Sequence, residues 1–406
     1  MARKTTVIPQ QGVNALPSLA CALAGAVGLS TLLPNPAGAT QYSLEYEVDS
    51  RYRYNDNVGL RPDDEVDVNG VVLSLPAKLS LEDERYTAYA DGEVSTSKYD
   101  NSGYDSDDQR LYLGGEYRFE RGGITANAGI DRSSTTDTAF LDNGVVGATA
   151  DRVERYKANL GALRYLSLNS AVIAGLFYSE NDYDTPRLVD NESRGGYLGL
   201  THQYTENTTL QVRANASRFE NDARIGVESD TVGLQVGFST AFSEKLSASV
   251  LGGYSEVETE YFEVAGIDVP DDDTTSGWVM DSSLDYTGDR STLSARLARN
   301  ESASADGYLI VSNQLNLDYT YELTEHVKLF FGAIVGQRGA LEDDIDNDRD
   351  YASGKIRGTY QLTEQWFLSG GYTYRYQDRE QASGDAVSNL VDVSIVFRPN
   401  PRSWSR

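Results

Sequence analysis

One short sequence pattern recurs along the chain and restricts the folds that the chain can adopt. The pattern consists of the end of a strand, a polar turn and the start of the next strand. In its clearest copy residues 360–364 end one segment and residues 366–376 begin the next, with apolar or small residues at every second position from Leu368. Alternation with a period of two is typical of a β-strand. Equivalent glutamates of the pattern are 38 residues apart between Glu206 and Glu244 and 39 apart between Glu325 and Glu364, so the pattern repeats at a nearly fixed interval. Such an interval indicates a repeated supersecondary unit, here a β-hairpin.

The same alternation continues from Tyr42 to Phe397 and divides into nine hairpins. Each hairpin supplies two strands of about ten residues, the length that a tilted strand needs to cross a bilayer. Nine hairpins give 18 strands, an even number as bacterial barrels require, and short turns alternate with long loops. We therefore predict an all-β fold, a transmembrane antiparallel up-and-down β-barrel of 18 strands with short periplasmic turns and long acidic extracellular loops.

Aromatic residues near the turns distinguish a membrane barrel from a soluble β-sandwich or propeller, which also contain many short strands. An aromatic residue precedes seven of the eight short turns, as expected for the girdle at a membrane interface. These residues are Phe119, Tyr165, Tyr204, Phe242, Tyr286, Tyr321 and Tyr360. Tyr165 alone is out of phase with the apolar face of its strand. Because the apolar faces have no helix to pack against, lipid is their predicted environment.

The two ends of the chain differ from this repeating body. Residues 1–39 combine Arg3 and Lys4 with an apolar stretch and an Ala-Gly-Ala sequence that ends at Ala39, which predicts a signal peptide; a membrane anchor is the alternative. Residues 40–398 are the predicted outer-membrane β-barrel of a Gram-negative bacterium, and residues 399–406 a C-terminal tail. The one cysteine, Cys21, lies in the signal segment, so we expect no disulfide or thiolate–metal site in the mature chain.

Charge and motif content argue against several classes of function. The net charge of −27 argues against nucleic acid as a partner, because phosphate contacts need lysine and arginine. The two histidines, His202 and His326, belong to no nucleophile–base motif, and we predict no enzymatic activity and no cofactor. The acidic run 344–348 has Arg349 and Lys355 where a calcium loop needs glycine and glutamate, so no metal site is predicted.

The polar face of the strands is the predicted functional face. Two interpretations stay open, because its charges either pair with each other and only solvate the wall, or line a channel that selects solutes by charge and hydrogen bonding. A register error of one residue would exchange the two faces of any strand. The predicted channel-lining residues are Arg51, Arg53, Lys78, Arg118, Arg155, Lys157, Arg213, Arg296, Lys355, Arg357, Arg375 and Asp318.

Residues 52–60 read Tyr-Arg-Tyr-Asn-Asp-Asn-Val-Gly-Leu and resemble the Tyr-x-Asp-Asn-Val/Ile signature of the beta-barrel porin type 2 family. The repeated Leu-Thr-Glu turns and the strand number are similar too, over residues 42–397. The resemblance implies an outer-membrane barrel tied to an exopolysaccharide system, with a periplasmic polysaccharide-export protein as partner. Outer-membrane lipid and the barrel-insertion machinery are the other expected partners. Many barrels end on an aromatic residue, whereas nine residues follow Phe397 here.

Three functions are compatible with these observations. The first, which the resemblance favours, is a conduit for export of a secreted polysaccharide. The second is a passive diffusion porin for small solutes. The third, suggested by the acidic loops, is a structural or adhesive surface barrel.

Overall fold

The computed structural model describes residues 40–138, 140, 150–223, 226–262, 273–341, 348–380 and 384–405, and these residues build one closed sheet. It contains twenty strands. Strands β1 and β2 together make one wall strand, as do β19 and β20, so the wall has 18 strands. The prediction of an all-β, 18-strand antiparallel up-and-down barrel is therefore confirmed. The predicted signal peptide 1–39 lies outside the described residues.

The strands follow one another around the ring in chain order. Apart from the split first and last strands they are longer than the ten residues expected, from 13 residues in β6 to 18 in β11. Their bounds are β1 Gln41–Tyr46, β2 Val48–Asn55, β3 Val68–Glu82, β4 Tyr86–Tyr99, β5 Ser106–Phe119, β6 Gly122–Ser134, β7 Arg152–Tyr165, β8 Ser170–Tyr183, β9 Asn191–Gln203, β10 Thr208–Asn221, β11 Gly226–Ser243, β12 Leu246–Phe262, β13 Asp273–Thr287, β14 Ser291–Ala303, β15 Leu309–Glu322, β16 Val327–Ala340, β17 Arg349–Gln361, β18 Trp366–Arg379, β19 Ala386–Phe397 and β20 Arg402–Ser405.

The barrel has a turn end and a loop end. Connections at the turn end are short, such as residues 120–121 and 362–365, whereas those at the loop end include residues 56–67 and 135–151. Two short helical turns lie at the loop end, a 3₁₀ turn at Ser102–Tyr104 and α1 at Thr135–Thr138. β12 extends to Phe262, so the acidic residues Glu256, Glu258 and Glu260 belong to a strand and not to a loop. Across the described ranges no helix is long and apolar enough to span a bilayer.

Residues that pair across a ladder point to the same side of the sheet, so the register assigns every position to one of two faces. On the outer face large apolar side chains are exposed, for example Leu198 at 61% and Val232 at 57%. Aromatic residues mark both ends of this face, with Tyr204 and Phe242 near the turn end and Trp278 nearer the loop end. Such a belted apolar surface is typical of a barrel that sits in lipid.

The seam that closes the ring joins the first strand to the last. β19 pairs with β2, and β20, inside the segment predicted as a tail, continues the pairing along β1 after a one-residue bulge at 398–401. On the other side of the first strand, Pro76 lies opposite Glu47 and offers no N–H to the ladder. Arg398 donates hydrogen bonds of 3.0 and 2.7 Å to Glu47 Oε2, so an ion pair spans the seam where both ladders are interrupted.

Candidate pore and its lining

The register places all twelve predicted lining residues on the inner face of the barrel. Arg213, for example, is paired with Gln235, which is only 7% exposed, whereas its neighbour Val212 is on the outer face and 46% exposed. The same phase holds for Arg357, which lies opposite Gly371, and for Asp318, which lies opposite Gly332. The alternation of the sequence alone therefore assigns these side chains to the correct face.

Cations are concentrated on one part of the inner face, formed by β16 to β19 and β2. We call this the basic wall, and its members are Arg51, Arg53, Lys328, Arg338, Arg349, Lys355, Arg357, Arg375 and Arg379. Five of them were predicted from the sequence. Clustered charge of one sign in a cleft with low-dielectric walls raises the local concentration of the opposite ion. The basic wall therefore attracts anions.

Two carboxylates lie among these cations and neutralise part of their charge. Arg51 pairs with Asp49 at 2.5 Å, and Arg357 pairs with Asp392 at 2.7 Å. The second pair is well shielded, with side-chain exposures of 17% and 4%. Lys355 is exposed to the lumen and interacts electrostatically with Arg357, Arg51 and Asp392. It is thus the member of the wall best placed to meet a solute.

The other predicted residues are distributed around the remaining wall and mostly have partners. Arg118 pairs with Glu116 at 2.8 Å, and Arg296 contacts Asp281. Lys78 lies 5.5 Å from the centroid of the Tyr89 ring. On β7, Arg155 faces Asp131 and Lys157 faces Gly129 across the ladder. For these residues the pairing interpretation fits better than a concentrated selectivity site.

Opposite the basic wall, the inner face of β8 to β12 is nearly uncharged, and we call it the neutral wall. Arg213 is the one charged side chain among its described inner positions, and it donates a 3.0 Å hydrogen bond to Gln235. The other positions carry hydroxyl, amide, small and a few apolar or aromatic groups, for example Ser193, Asn215 and Phe177. Beside this wall is a cavity of about 750 Å³ that also touches β14 and β15.

Two loops cover the basic wall at the loop end. Arg349, which is 3% exposed, donates to the carbonyl oxygen of Phe140 at 2.8 Å and to Oε1 of Gln377 at 3.0 Å. Gln377 in turn donates to the carbonyl oxygen of Leu60 at 2.8 Å. Phe140 and Leu60 belong to a buried cluster with Tyr351. The loops 56–67 and 135–151 are thus tied to the wall through one arginine and one glutamine.

The sequence signature in residues 52–60 has a structural explanation. Asn57 is 1% exposed, and its Nδ2 donates to the carbonyl oxygens of Arg61 at 2.8 Å and Val387 at 3.0 Å. The side-chain Oδ1 of Asn55 accepts hydrogen bonds from the backbone N–H of Asn57 and from the hydroxyl group of Ser388. A buried side-chain amide with these partners is costly to replace. The signature therefore fastens the first loop to β19.

Sequence reasoning missed five inner residues of this wall, which are Lys328, Arg338, Arg349, Arg379 and Asp392. Arg349 directly follows the acidic run 344–348, although it continues the phase of Lys355 and Arg357. Asp392 alternates with the apolar Val391 and Val393, so the same phase rule would have placed it inside. The missed signal was strand length, since strands assumed to have ten residues were cut short at the loop end.

The structure was also searched for groups that could support catalysis or hold a metal. Ser170 Oγ lies 2.9 Å from Nδ1 of His202, a contact that the sequence did not indicate, but the pair is exposed at the turn end. No carboxylate among the described residues hydrogen-bonds to either partner. The described part of the chain also contains no group of three or more His, Cys, Asp or Glu side chains that could hold a metal ion.

One loop carboxylate has a shifted pKa. The amide of Tyr99 donates to Asp105 Oδ1 at 2.8 Å, and this bond, with a smaller contribution from Lys98, lowers the pKa of Asp105. The amide stabilises the charged form of the carboxylate. The ionised Asp105 thereby holds the loop 100–105 against the end of β4.

Comparison with known proteins gave similarity only among solved structures. No family model and no curated protein matches the chain. OccK2 (OpdF) of Pseudomonas aeruginosa has 11% identity and a TM-score of 0.45, with 88% of this chain and 98% of that chain covered. A BenF-like porin from Pseudomonas fluorescens Pf-5 has 10% identity and a TM-score of 0.45, with coverages of 89% and 99%. The copper transporter OprC has 11% identity and a TM-score of 0.44, with coverages of 90% and 82%. At these values the similarity is confined to overall architecture.

Proposed function

We propose that the chain is an outer-membrane channel for small solutes and that it prefers anions. The proposal is supported first by the closed ring of 18 strands, in which each strand pairs with both of its neighbours. A barrel of this strand number is wide enough for an aqueous interior. Its apolar outer face meets lipid, and its polar inner face meets water.

The observation that carries the anion preference is the basic wall. It sets nine cations against Asp49 and Asp392 on the same strands, while the facing neutral wall adds only Arg213 among its described residues. Selectivity by rings or walls of charged side chains is a common property of channels. An anion crossing the lumen is stabilised along one side and meets no opposing carboxylate wall on the other.

Planar-bilayer recording of the purified chain tests this function. In a KCl gradient we expect a reversal potential that reports a chloride permeability greater than that of potassium. Liposome swelling with sugars of graded size would then give the size limit of the passage. A cation-selective channel would contradict the anion preference, and a chain that produced no conductance or swelling would contradict the diffusion function.

Export of a secreted polysaccharide is the second candidate. It is favoured by one observation, that Leu60 and Phe140 from two loops pack against the basic wall, because an export conduit should be closed when isolated from its partner. The expected partner would be a periplasmic polysaccharide-export protein. Deletion of the gene should then leave polymer in the periplasm, whereas normal surface polymer in the deletion strain would exclude this function. The structural or adhesive barrel stays a prediction that truncation of the acidic loops would test.

A further inference from the structure

The wall of the barrel forks between β13 and β14. Their ladder runs from Thr287 paired with Thr292 up to Met280 paired with Arg299 and stops there, although β13 continues to Asp273. Over the same height β13 stays paired with β12, and β14 stays paired with β15 up to Ala303. Two strand edges therefore separate at the level of Trp278, near the outer aromatic belt.

Beyond the fork, residues 300–312 of the β14–β15 hairpin turn into the lumen, and we call this segment the arm. Its tip passes β11 to β13 and contacts the tops of β8 to β10. The amide of Val189 donates to the carbonyl oxygen of Ala305 at 2.8 Å, and Asn191 Nδ2 donates to that of Ser304 at 3.4 Å. Asn221 Nδ2 donates to the carbonyl oxygen of Gly307. Ala305 and Ile310 are 4% and 6% exposed, so the tip is covered where it docks.

The tip is shaped for this docked position. Gly307 has φ +90°, and a Cβ added there would lie 2.9 Å from Cγ1 of Val189. Only glycine adopts this backbone conformation without strain and permits the approach. The docked arm also forms one side of the 750 Å³ cavity beside the neutral wall. Its position therefore sets how much of the lumen is open on that side.

Side chains, and not backbone, occupy the separated edges at the fork. Arg299 Nε donates to the carbonyl oxygen of Trp278 at 3.0 Å, and its guanidinium lies 4.7 Å from the Trp278 ring. Ser255 Oγ, on β12, donates its one proton to the carboxylate of Glu301 and lies 3.4 Å from the carbonyl oxygen of Gly277. The bond from Arg299 satisfies the Trp278 carbonyl group beyond the end of the β13–β14 ladder, and Ser255 holds the side chain of Glu301. Side-chain caps of this kind can be exchanged for strand pairing.

We propose that the arm is a gate with two positions, the docked one and one in which the fork is zipped. Continuation of the existing register would pair Val279 with Asn300 and bring Gly277 opposite Ser302. In the zipped position the arm loses the three hydrogen bonds at its tip and the burial of Ala305 and Ile310. In exchange, β13 and β14 gain four further residue pairs. Because the two sets of contacts are comparable, both positions are populated. Zipping removes the arm from the lumen and widens the passage beside the neutral wall.

Two disulfides test the gate, one for each position. Val189→Cys with Ala305→Cys locks the docked arm. Gly277→Cys with Ser302→Cys locks the zipped fork, and an added Cβ at Gly277 has nothing within 4 Å. The control pair is Ser249→Cys with Ser283→Cys, which face each other in the continuous β12–β13 ladder. Cys21 precedes the described residues and is replaced by serine if it is retained in the purified chain.

We expect all three pairs to cross-link in vesicles under mild oxidation, with the Gly277/Ser302 pair forming more slowly than the control. Asn191→Ala with Asn221→Ala weakens the docked position and should speed that cross-link several-fold. The docked lock should lower conductance, and the zipped lock should raise it about twofold. If the Gly277/Ser302 pair stays reduced while the other two form, the arm is fixed and the gate is refuted.

Cross-linking also separates this inference from the proposed function, on which its conductance readout depends. A chain that conducts no ions but forms both locks would contradict the channel and leave a two-position arm. A chain that conducts but never forms the zipped lock would retain the channel and lose the gate.

Discussion

The basic wall and the neutral wall face each other across one lumen and are built by the same alternation. They differ in charge, because the basic wall carries many charged side chains and the neutral wall carries one in the described part of the chain. Nine cations line β16 to β19 and β2, whereas Arg213 stands alone on the described inner positions of β8 to β12. The whole chain carries a net charge of −27. The charge of a barrel lumen is therefore set by which strand face a residue occupies, and the net charge of the chain does not predict it.

The largest expected effect concerns stability. Arg357→Met leaves Asp392, 4% exposed in its side chain, without its cation, and should lower the free energy of unfolding by about 3 kcal/mol. Arg296→Met breaks the exposed contact with Asp281 and should cost no more than about 1 kcal/mol. Urea unfolding in detergent measures both. Adding Asp392→Asn to Arg357→Met should recover much of the loss, and equal losses in the two single variants would contradict the contrast in burial.

A second effect tests how the basic wall is covered. Asn57→Ala removes the hydrogen bonds to Arg61 and Val387 and should weaken the docking of loop 56–67 by about 2 kcal/mol. Proteolysis within that loop should accelerate by about 30-fold, and single-channel conductance should rise. Asn207→Ala, at an exposed turn, is the matched control and should change neither quantity. An unchanged cleavage rate in Asn57→Ala would show that other contacts hold the loop.

A third effect compares the two walls as determinants of selectivity. Lys355→Glu and Arg213→Glu change the lumen charge by the same amount, one on each wall. We expect Lys355→Glu to reduce the chloride-to-potassium permeability ratio by about tenfold, because it interrupts a cluster of cations. Arg213→Glu should have a clearly smaller effect. Reversal potentials in a KCl gradient measure both ratios, and equal shifts would mean that the walls act as one averaged charge.

The smallest expected effect is a pH dependence at the loop end. Because the pKa of Asp105 is lowered in the folded chain, its ionised form stabilises the loop above the ordinary pKa of about 3.9. This contribution is lost as the pH falls through the lowered pKa, so hydrogen exchange at the Tyr99 amide should accelerate only at strongly acidic pH. Asp105→Asn should remove that dependence. Persistence of the acid-induced acceleration in Asp105→Asn would assign it to another group.

The alternation of the sequence was sufficient for the ring and for the face of each predicted lining residue. Arg51, Lys355 and Arg375 follow directly from strand phase, because a period of two leaves only two choices. The sequence analysis did not identify the basic wall, because it left Lys328, Arg338 and Arg379 without an assigned face. Arg349 was missed because its strand extends beyond the length assumed for a membrane crossing.

The fork and the covering loops were also beyond sequence reasoning. The β13–β14 ladder stops at Met280 although the residues above it alternate as well as those below. Above that point Ala305 and Gly307 at the tip of the hairpin bond to Val189 and Asn221, and such tertiary contacts are not encoded in the alternation. Similarly, the signature at Asn55 and Asn57 pointed to a family, whereas its physical role in holding a loop appeared only from its contacts.

The ion pair at the seam has a consequence for how the ring is completed. Glu47 and Arg398 are 351 positions apart, so bringing them together restricts nearly all of the barrel-forming chain. At that height the bulge on one side and Pro76 on the other leave little backbone bonding to hold the first strand. Attraction between opposite charges acts over a longer range than a hydrogen bond between peptide groups. We therefore expect Glu47 and Arg398 to guide the pairing of the first strand with the last strand, the step that closes the barrel.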